Sequence, residues 1–145
     1  RPGEAEGVNY YYMTNAQFEE KLARGEILEH VNYCGKYYGT PKSEVDRRIA
    51  AGTTVVLVIE VVGAANIKRM YPESTLVFIL PPSMEELAAR LRGRGTEDEA
   101  AVQKRLARAE EELREKDAYD FAIVNDDARR CADELYEILR ARQSE

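Results

Sequence analysis

Between Glu29 and Thr40 the chain reads Glu-His-Val-Asn-Tyr-Cys-Gly-Lys-Tyr-Tyr-Gly-Thr, placing a carboxylate, two tyrosines and a hydroxyl on either side of a glycine turn. If Gly35 closes a hairpin, Glu29 and Thr40 return toward each other across a pocket floor. A carboxylate can accept two adjacent N–H donors at once, while a hydroxyl beside it donates to a neighbouring carbonyl. Guanine presents that edge, with its ring N–H and exocyclic amino group side by side; adenine presents the reverse. A buried carboxylate facing the wrong base is left unpaired, and sites built on hydrogen bonds discriminate by roughly 10⁴-fold or more for that reason. The same stretch also reads as a tyrosine-rich surface hairpin.

A second group of candidates is cationic. Arg90 and Arg94 are four residues apart, a spacing that puts both guanidiniums on one helix face where they can converge on one phosphate chain. Gly93 and Gly95 around Arg94 permit the hinge that a closing lid needs. Without that context an arginine pair is a solvated helix face.

These groups have to be held by elements, and the local patterns supply them in order. Val8–Met13 reads as a short strand with Tyr10 and Tyr12 on one face. Thr14 and Gln17 have capping-box spacing, Phe18 and Leu22 repeat four apart, and Gly25 stops that helix. Ile27–Tyr33 and Tyr37–Gly39 are the hairpin arms, after which Thr40 reads as an N-cap with Pro41 at the first helical position, Val45 and Ile49 as the buried stripe and Gly52 as the stop. From Thr54 to Val62 alternation vanishes, the pattern of a strand buried on both faces in a helix-covered parallel sheet. Gly63 opens a short helix through Ile67 and Met70 that Pro72 closes.

Thr75–Leu80 is the next buried strand, halted by Pro81-Pro82. Ser83 and Glu86 cap a helix with Leu87 and Leu91 inward, and Thr96 with Glu99 makes a further capping box. Val102, Leu106, Ala109 and Leu113 continue at helical spacing, Phe121–Asn125 is a third strand, and a last helix over Asp127–Arg142 buries Cys131, Leu135, Ile138 and Leu139. Helices alternating with apolar strands predict an α/β sheet with crossovers.

Composition narrows the function. With 145 residues and 44% hydrophobic content the chain can bury a core. A net charge of −6 argues against a nucleic-acid coat or a polybasic membrane binder, so an anionic ligand must be held by local arginines against the global field. Two distant cysteines and one histidine give neither a disulfide framework nor a zinc site, and no metal ligand is assigned. No apolar run approaches the roughly 18 residues of a membrane span. A reducing cytoplasm is the expected setting.

Several blocks then appear in a fixed order: Arg1-Pro2-Gly3-Glu4, Gly7, Tyr10, the Glu29–Thr40 block, Ile79-Leu80-Pro81-Pro82-Ser83, Arg90-Leu91-Arg92-Gly93-Arg94-Gly95-Thr96, Lys104-Arg105-Leu106 and Ile123-Val124-Asn125-Asp126-Asp127. Together they resemble the guanylate kinase family of nucleoside monophosphate kinases, through essentially the whole chain. The resemblance implies a P-loop-kinase-like parallel sheet flanked by helices, with a small β-rich GMP-binding subdomain over residues 1–52 inserted on a core over 53–145 and a helical lid at about 92–116. It also implies transfer of the γ-phosphoryl group of MgATP to GMP, giving GDP and ADP. Since the attacking phosphate oxygen is already anionic, alignment and charge neutralisation are the protein's task.

By the same resemblance Glu29, Thr40 and Glu60 would read guanine, and Arg1, Tyr10 and Tyr38 would hold the GMP phosphate. Arg90, Arg94 and Arg105 match lid arginines that serve the phosphoryl donor, and Asn125 matches a residue near adenine. Mg²⁺ would accompany ATP. His30 reads as a packed neighbour of Glu29. Family members begin with a strand and a glycine-rich phosphate loop that have no counterpart here, so the resemblance implies a truncated form, inactive alone, whose first, central strand is absent. Apolar edges left facing a gap invite self-association. Glu60 stands where the family has an aspartate, Val58 where it commonly has an acidic residue and Val62 where it has a glutamine. Those departures keep open an alternative, a catalytically inactive guanylate-kinase-like domain that binds a ligand or a protein.

Overall fold

The computed structural model describes residues 2–7, 10–95 and 98–143. They fall into two compact units, one ending at Pro72 and the other starting at Glu73.

In the first unit, helix α1 (Asn15–Ala23) starts on the expected capping box: the Thr14 hydroxyl accepts from the Gln17 amide, and the Gln17 side chain accepts from the Thr14 amide. Gly25 follows at φ +72, the left-handed turn at which glycine ends a helix without strain. Strands β1 (Ile27–Tyr33) and β2 (Lys36–Pro41) then form an antiparallel hairpin. Its two-residue turn, Cys34-Gly35, has positive φ at both positions, as the right-handed twist of a tight hairpin favours. The ladder therefore extends closer to the turn, and further past Gly39, than the expected second arm.

Hairpin register sorts the side chains onto two faces. Pairing of Glu29 with Thr40 and of Val31 with Tyr38 puts those four residues on one face; His30, Asn32, Tyr37 and Gly39 take the other. Helix α1 covers the second face. Phe18 stacks on Tyr37 with ring centroids 4.9 Å apart, and Tyr37 donates a hydrogen bond to Glu19. An irregularity in the ladder between Ile27 and Glu29 allows two consecutive residues, Ile27 and Leu28, both to be buried.

Two helices complete this unit, α2 (Lys42–Ala50) and α3 (Val61–Met70). Leu28, Val45 and Ile67 form its core, with Val55, Leu57, Ile59 and Tyr71 packed against them. Three expectations are corrected here. The N-cap of α2 is Pro41, with no side-chain cap, because the Thr40 hydroxyl is engaged across the hairpin instead. The stretch 54–62 is neither a paired strand nor covered on both faces. Residues 53–60 are extended but join no ladder among the described residues, and α3 already begins at Val61. Alternation returns in the structure, with Val55, Leu57 and Ile59 inward while Val58 is 98% exposed. Likewise no strand forms over 11–13; Tyr10 makes only an isolated bridge with Glu6.

The second unit carries a parallel pair, β3 (Val77–Leu80) and β4 (Phe121–Val124). Their connection contains α4 (Met84–Gly93) and α5 (Glu99–Leu113), followed by a short 3₁₀ turn at Lys116–Ala118. Helix α6 (Ala128–Gln143) packs on β4 and buries Cys131. Val102 and Ile123 are the most deeply buried large side chains. Ser83 caps α4 as expected, whereas the cap of α5 is Asp98, which accepts from the Ala101 amide; Thr96 lies outside the described residues. The result is an α/β fold with a small parallel sheet.

Candidate functional site

The hairpin brings Glu29 and Thr40 together. The Thr40 hydroxyl donates to Glu29 Oε1 at 2.6 Å, and both side chains are half-buried. Cross-strand neighbours on one face of a hairpin meet in this way because their Cβ atoms stand about 5 Å apart. Register, set by the two-residue turn, makes the pair; a slip of one residue sends Glu29 to the face covered by Phe18.

Tyr38 lies two residues before Thr40 on the same face of β2, and Tyr10 meets it edge-on with ring centroids 5.9 Å apart. Tyr12 is 6.1 Å from Tyr10, so the two share a side as expected although no strand forms. Arg1 lies outside the described residues. His30 is exposed on the opposite face, its ring tilted relative to Phe18 and Tyr37 at centroid distances of 6.2 and 6.4 Å.

Glu60 does not continue the extended run toward Val58. It is the N-cap of α3, and its Oε1 accepts from the Gly63 amide at 3.1 Å. Gly63 in turn faces Glu29, for a Cβ built on it would stand 3.6 Å from Glu29 Oε2. The first turn of α3 thus gathers Glu29, Thr40 and Glu60 into one neighbourhood. Glu29 and Thr40 meet on this hairpin face, with Tyr38 two residues along the same strand and Tyr10 against the Tyr38 ring. Such a set can accept from adjacent ring donors and donate to an anion.

A hydrogen-bonded cluster ties α2 to the end of α3. Asp46 on α2 accepts from Lys42 and from the Tyr71 hydroxyl at the end of α3. Its carboxyl is held below the usual range by Lys42 and then Tyr71, while burial and Asp46 raise the Tyr71 phenol. Nothing in the sequence pattern singles out this trio, since Tyr71 is remote from the helix whose Lys42 and Asp46 lie one turn apart.

In the second unit Arg90 donates to the Asn125 carbonyl at 3.1 Å and to Glu86 at 3.2 Å. Two residues expected to serve the same nucleotide are therefore adjacent. Arg94 is the C-cap of α4 with helical φ and ψ, and Gly95 follows at φ +65. Arg105 is exposed on α5. Sequence reasoning missed the link across this bend: Arg92 makes a two-pronged contact with Glu99, at 2.6 and 3.1 Å, and holds the Glu99 carboxyl down to about 2. It also missed Arg130, which binds Asp126, Glu134 and the Val124 carbonyl and lowers the Asp126 carboxyl. The i, i+4 spacings of Asp126, Arg130 and Glu134 were the available signal.

Among the described residues no group of three or more His, Cys, Asp and Glu could hold a metal ion, and no helix is long and apolar enough to cross a membrane. Cys34 and Cys131 are both free thiols.

Comparison with known proteins places the chain in a family. A family model described as guanylate kinase matches residues 1–142. A guanylate kinase of Nostoc sp. is 49% identical over 127 residues, covering 88% of this chain and 64% of that protein. One from Symbiobacterium thermophilum is 46% identical over 144 residues, covering 99% and 68%. The crystal structure of guanylate kinase from Anaplasma phagocytophilum superposes with a TM-score of 0.76 at 36% identity, covering all of this chain and 71% of that one. The chain thus spans about two thirds of the length of the curated relatives it matches. On the match over residues 1–142 and these identities, the chain belongs to the guanylate kinase family.

Proposed function

We propose that the hairpin face binds GMP as the acceptor of a phosphoryl group from MgATP, in an ATP:GMP phosphotransferase. The observation that supports this reading is the Glu29–Thr40 hydrogen bond, which sets an acceptor pair and a reorientable hydroxyl side by side. In this reading Glu29 accepts the ring N–H and amino group of guanine, and the Thr40 hydroxyl turns from Glu29 to the guanine carbonyl. Glu60 contributes from its anchored position at the start of α3. Tyr10, Tyr38 and Arg1 hold the 5′-phosphate through phenol and guanidinium donors. Residues 1–52 then serve as the GMP-binding subdomain, and 53–145 as the core with a lid at about 92–116.

On the donor side, Arg90, Arg94 and Arg105 offset the charge of the ATP phosphates, and Asn125 borders the adenine. Mg²⁺ would arrive on those phosphates, as it commonly does, since the described residues offer it no cage of their own. Two free thiols suit a reducing cytoplasm.

A second reading has an observation of its own. Val58 is almost fully exposed, so an apolar side chain occupies a position where the family commonly has an acidic one, and a domain that binds without catalysing accommodates that. Calorimetry with GMP and AMP tests the reading of the base. GMP is expected to bind roughly tenfold or more tightly, and equal affinities overturn it. Turnover of GMP in a coupled ADP-release assay overturns this second reading.

A further inference from the structure

The face of the hairpin that carries Glu29 and Thr40 continues past Tyr38 toward the turn. In the ladder Glu29 pairs with Thr40, Val31 with Tyr38 and Tyr33 with Lys36, and each step of two residues returns to the same face. Lys36 is exposed there, opposite a Tyr33 that is itself 65% exposed. Its backbone is held on both sides: the Asn15 side chain donates to the Gly35 carbonyl at 3.2 Å, and Tyr37 is stacked on Phe18 and bonded to Glu19. The lysine stem therefore leaves a well-anchored strand, while its ammonium makes no hydrogen bond or ion pair among the described residues.

That isolation sets Lys36 apart from Lys21, Arg24, Lys42, Arg47 and Arg48 of the same unit, each of which sits against a carboxylate. In a chain of net charge −6, an uncompensated cation matters most where an anion has to be held against the global field. In the GMP reading the base lies at Glu29 and Thr40 and the phosphate at Tyr38, so the nucleotide points along the strand toward Lys36. Lys36 is one further step of about 7 Å along β2, and a lysine's flexible stem spans such a step. We infer that Lys36 is a further phosphate-binding residue, whose ammonium donates to the 5′-phosphate of the nucleotide beside Tyr38. This rests on the GMP reading.

The test is Lys36→Gln in the whole chain, with calorimetry for GMP and for guanosine, which keeps the base and lacks the phosphate. GMP should weaken about tenfold, as expected for one lost charge-assisted hydrogen bond, and guanosine should bind as it does to wild type. Lys36→Arg keeps a cationic donor at the same place and should hold GMP within about threefold of wild type. Lys21→Gln removes the same charge from α1, which covers the opposite face of the hairpin, and should leave GMP affinity unchanged. A merely structural role for Lys36 would weaken both ligands alike.

If Lys36→Gln leaves GMP at wild-type affinity while wild type prefers GMP to AMP, this inference fails and the GMP reading stands. An equal fall for GMP and guanosine overturns it too, because the effect would not lie at the phosphate. So does a Lys36→Arg as weak as Lys36→Gln, or a Lys21→Gln that weakens GMP as much, since neither outcome leaves a specific contact from position 36. If wild type binds GMP and AMP equally, the GMP reading itself fails and this inference with it.

Discussion

Glu29→Gln keeps the shape of the side chain and replaces one acceptor oxygen by a donor amide. Facing the two N–H donors of guanine, that amide sets donor against donor, so GMP affinity should fall about 10²-fold or more while AMP affinity changes little. Parallel calorimetric titrations check this, and an unchanged GMP affinity removes Glu29 from base recognition. Tyr38→Phe is expected to act on the other end of the ligand. Its edge contact with Tyr10 needs only the ring, so that contact persists and only the hydroxyl is lost. GMP should weaken about tenfold and guanosine should not. At this scale the sequence was informative wherever chemistry is local to a hairpin. It did not show that Thr40 would serve Glu29 rather than cap α2, because a residue at a strand-to-helix junction satisfies both patterns and only the register decides.

Elements position those residues, and two contacts show how. Gly39 is pressed on three sides: an added Cβ would lie 2.8 Å from the Glu29 carbonyl oxygen, 2.8 Å from Phe18 Cζ and 2.9 Å from Ile27 Cγ2. Backbone cannot yield as a side chain can, so Gly39→Ala should destabilise the first unit by about 1–3 kcal/mol, read by denaturant melts. It should weaken GMP binding as the hairpin shifts, and a melt equal to wild type argues against the tight seat of α1 on the hairpin. The Arg92–Glu99 contact ties the end of α4 to the start of α5, and its sign with pH follows from the depressed carboxyl. Glu99 ordinarily titrates near 4.5 and here near 2, so the link is fully present above 4.5 and is lost as pH falls through 2. Arg92→Ala should bring the Glu99 midpoint, followed by carboxyl NMR, back toward 4.5; both side chains are exposed, so little change in melting is expected. Periodicity and capping located each α-helix among the described residues but misjudged 54–62, because an apolar run does not say whether its second face is covered.

At the scale of the molecule, the same run is expected to govern how the chain behaves in solution. Residues 53–60 present an extended backbone without a ladder among the described residues, and Val56, Val58 and Val62 are exposed beside it at 57%, 98% and 63%. Exposed apolar side chains along a stretch that joins no ladder favour pairing with another strand. A net charge of −6 opposes association only over about a Debye length, roughly 8 Å in physiological salt. Self-association through this segment is therefore expected to rise with salt, since screening removes the repulsion and leaves the apolar contact. Sedimentation of the 145-residue chain at increasing concentration should show species larger than a monomer. Val58→Lys should suppress them, because a lysine there leaves the core untouched and puts charge on the edge. The substitution touches none of Glu29, Thr40, Tyr10 or Tyr38, so GMP affinity per chain should be retained. A wild-type chain that stays a monodisperse monomer across both series would mean that the exposed valines recruit no second copy, and that the segment is satisfied where it lies.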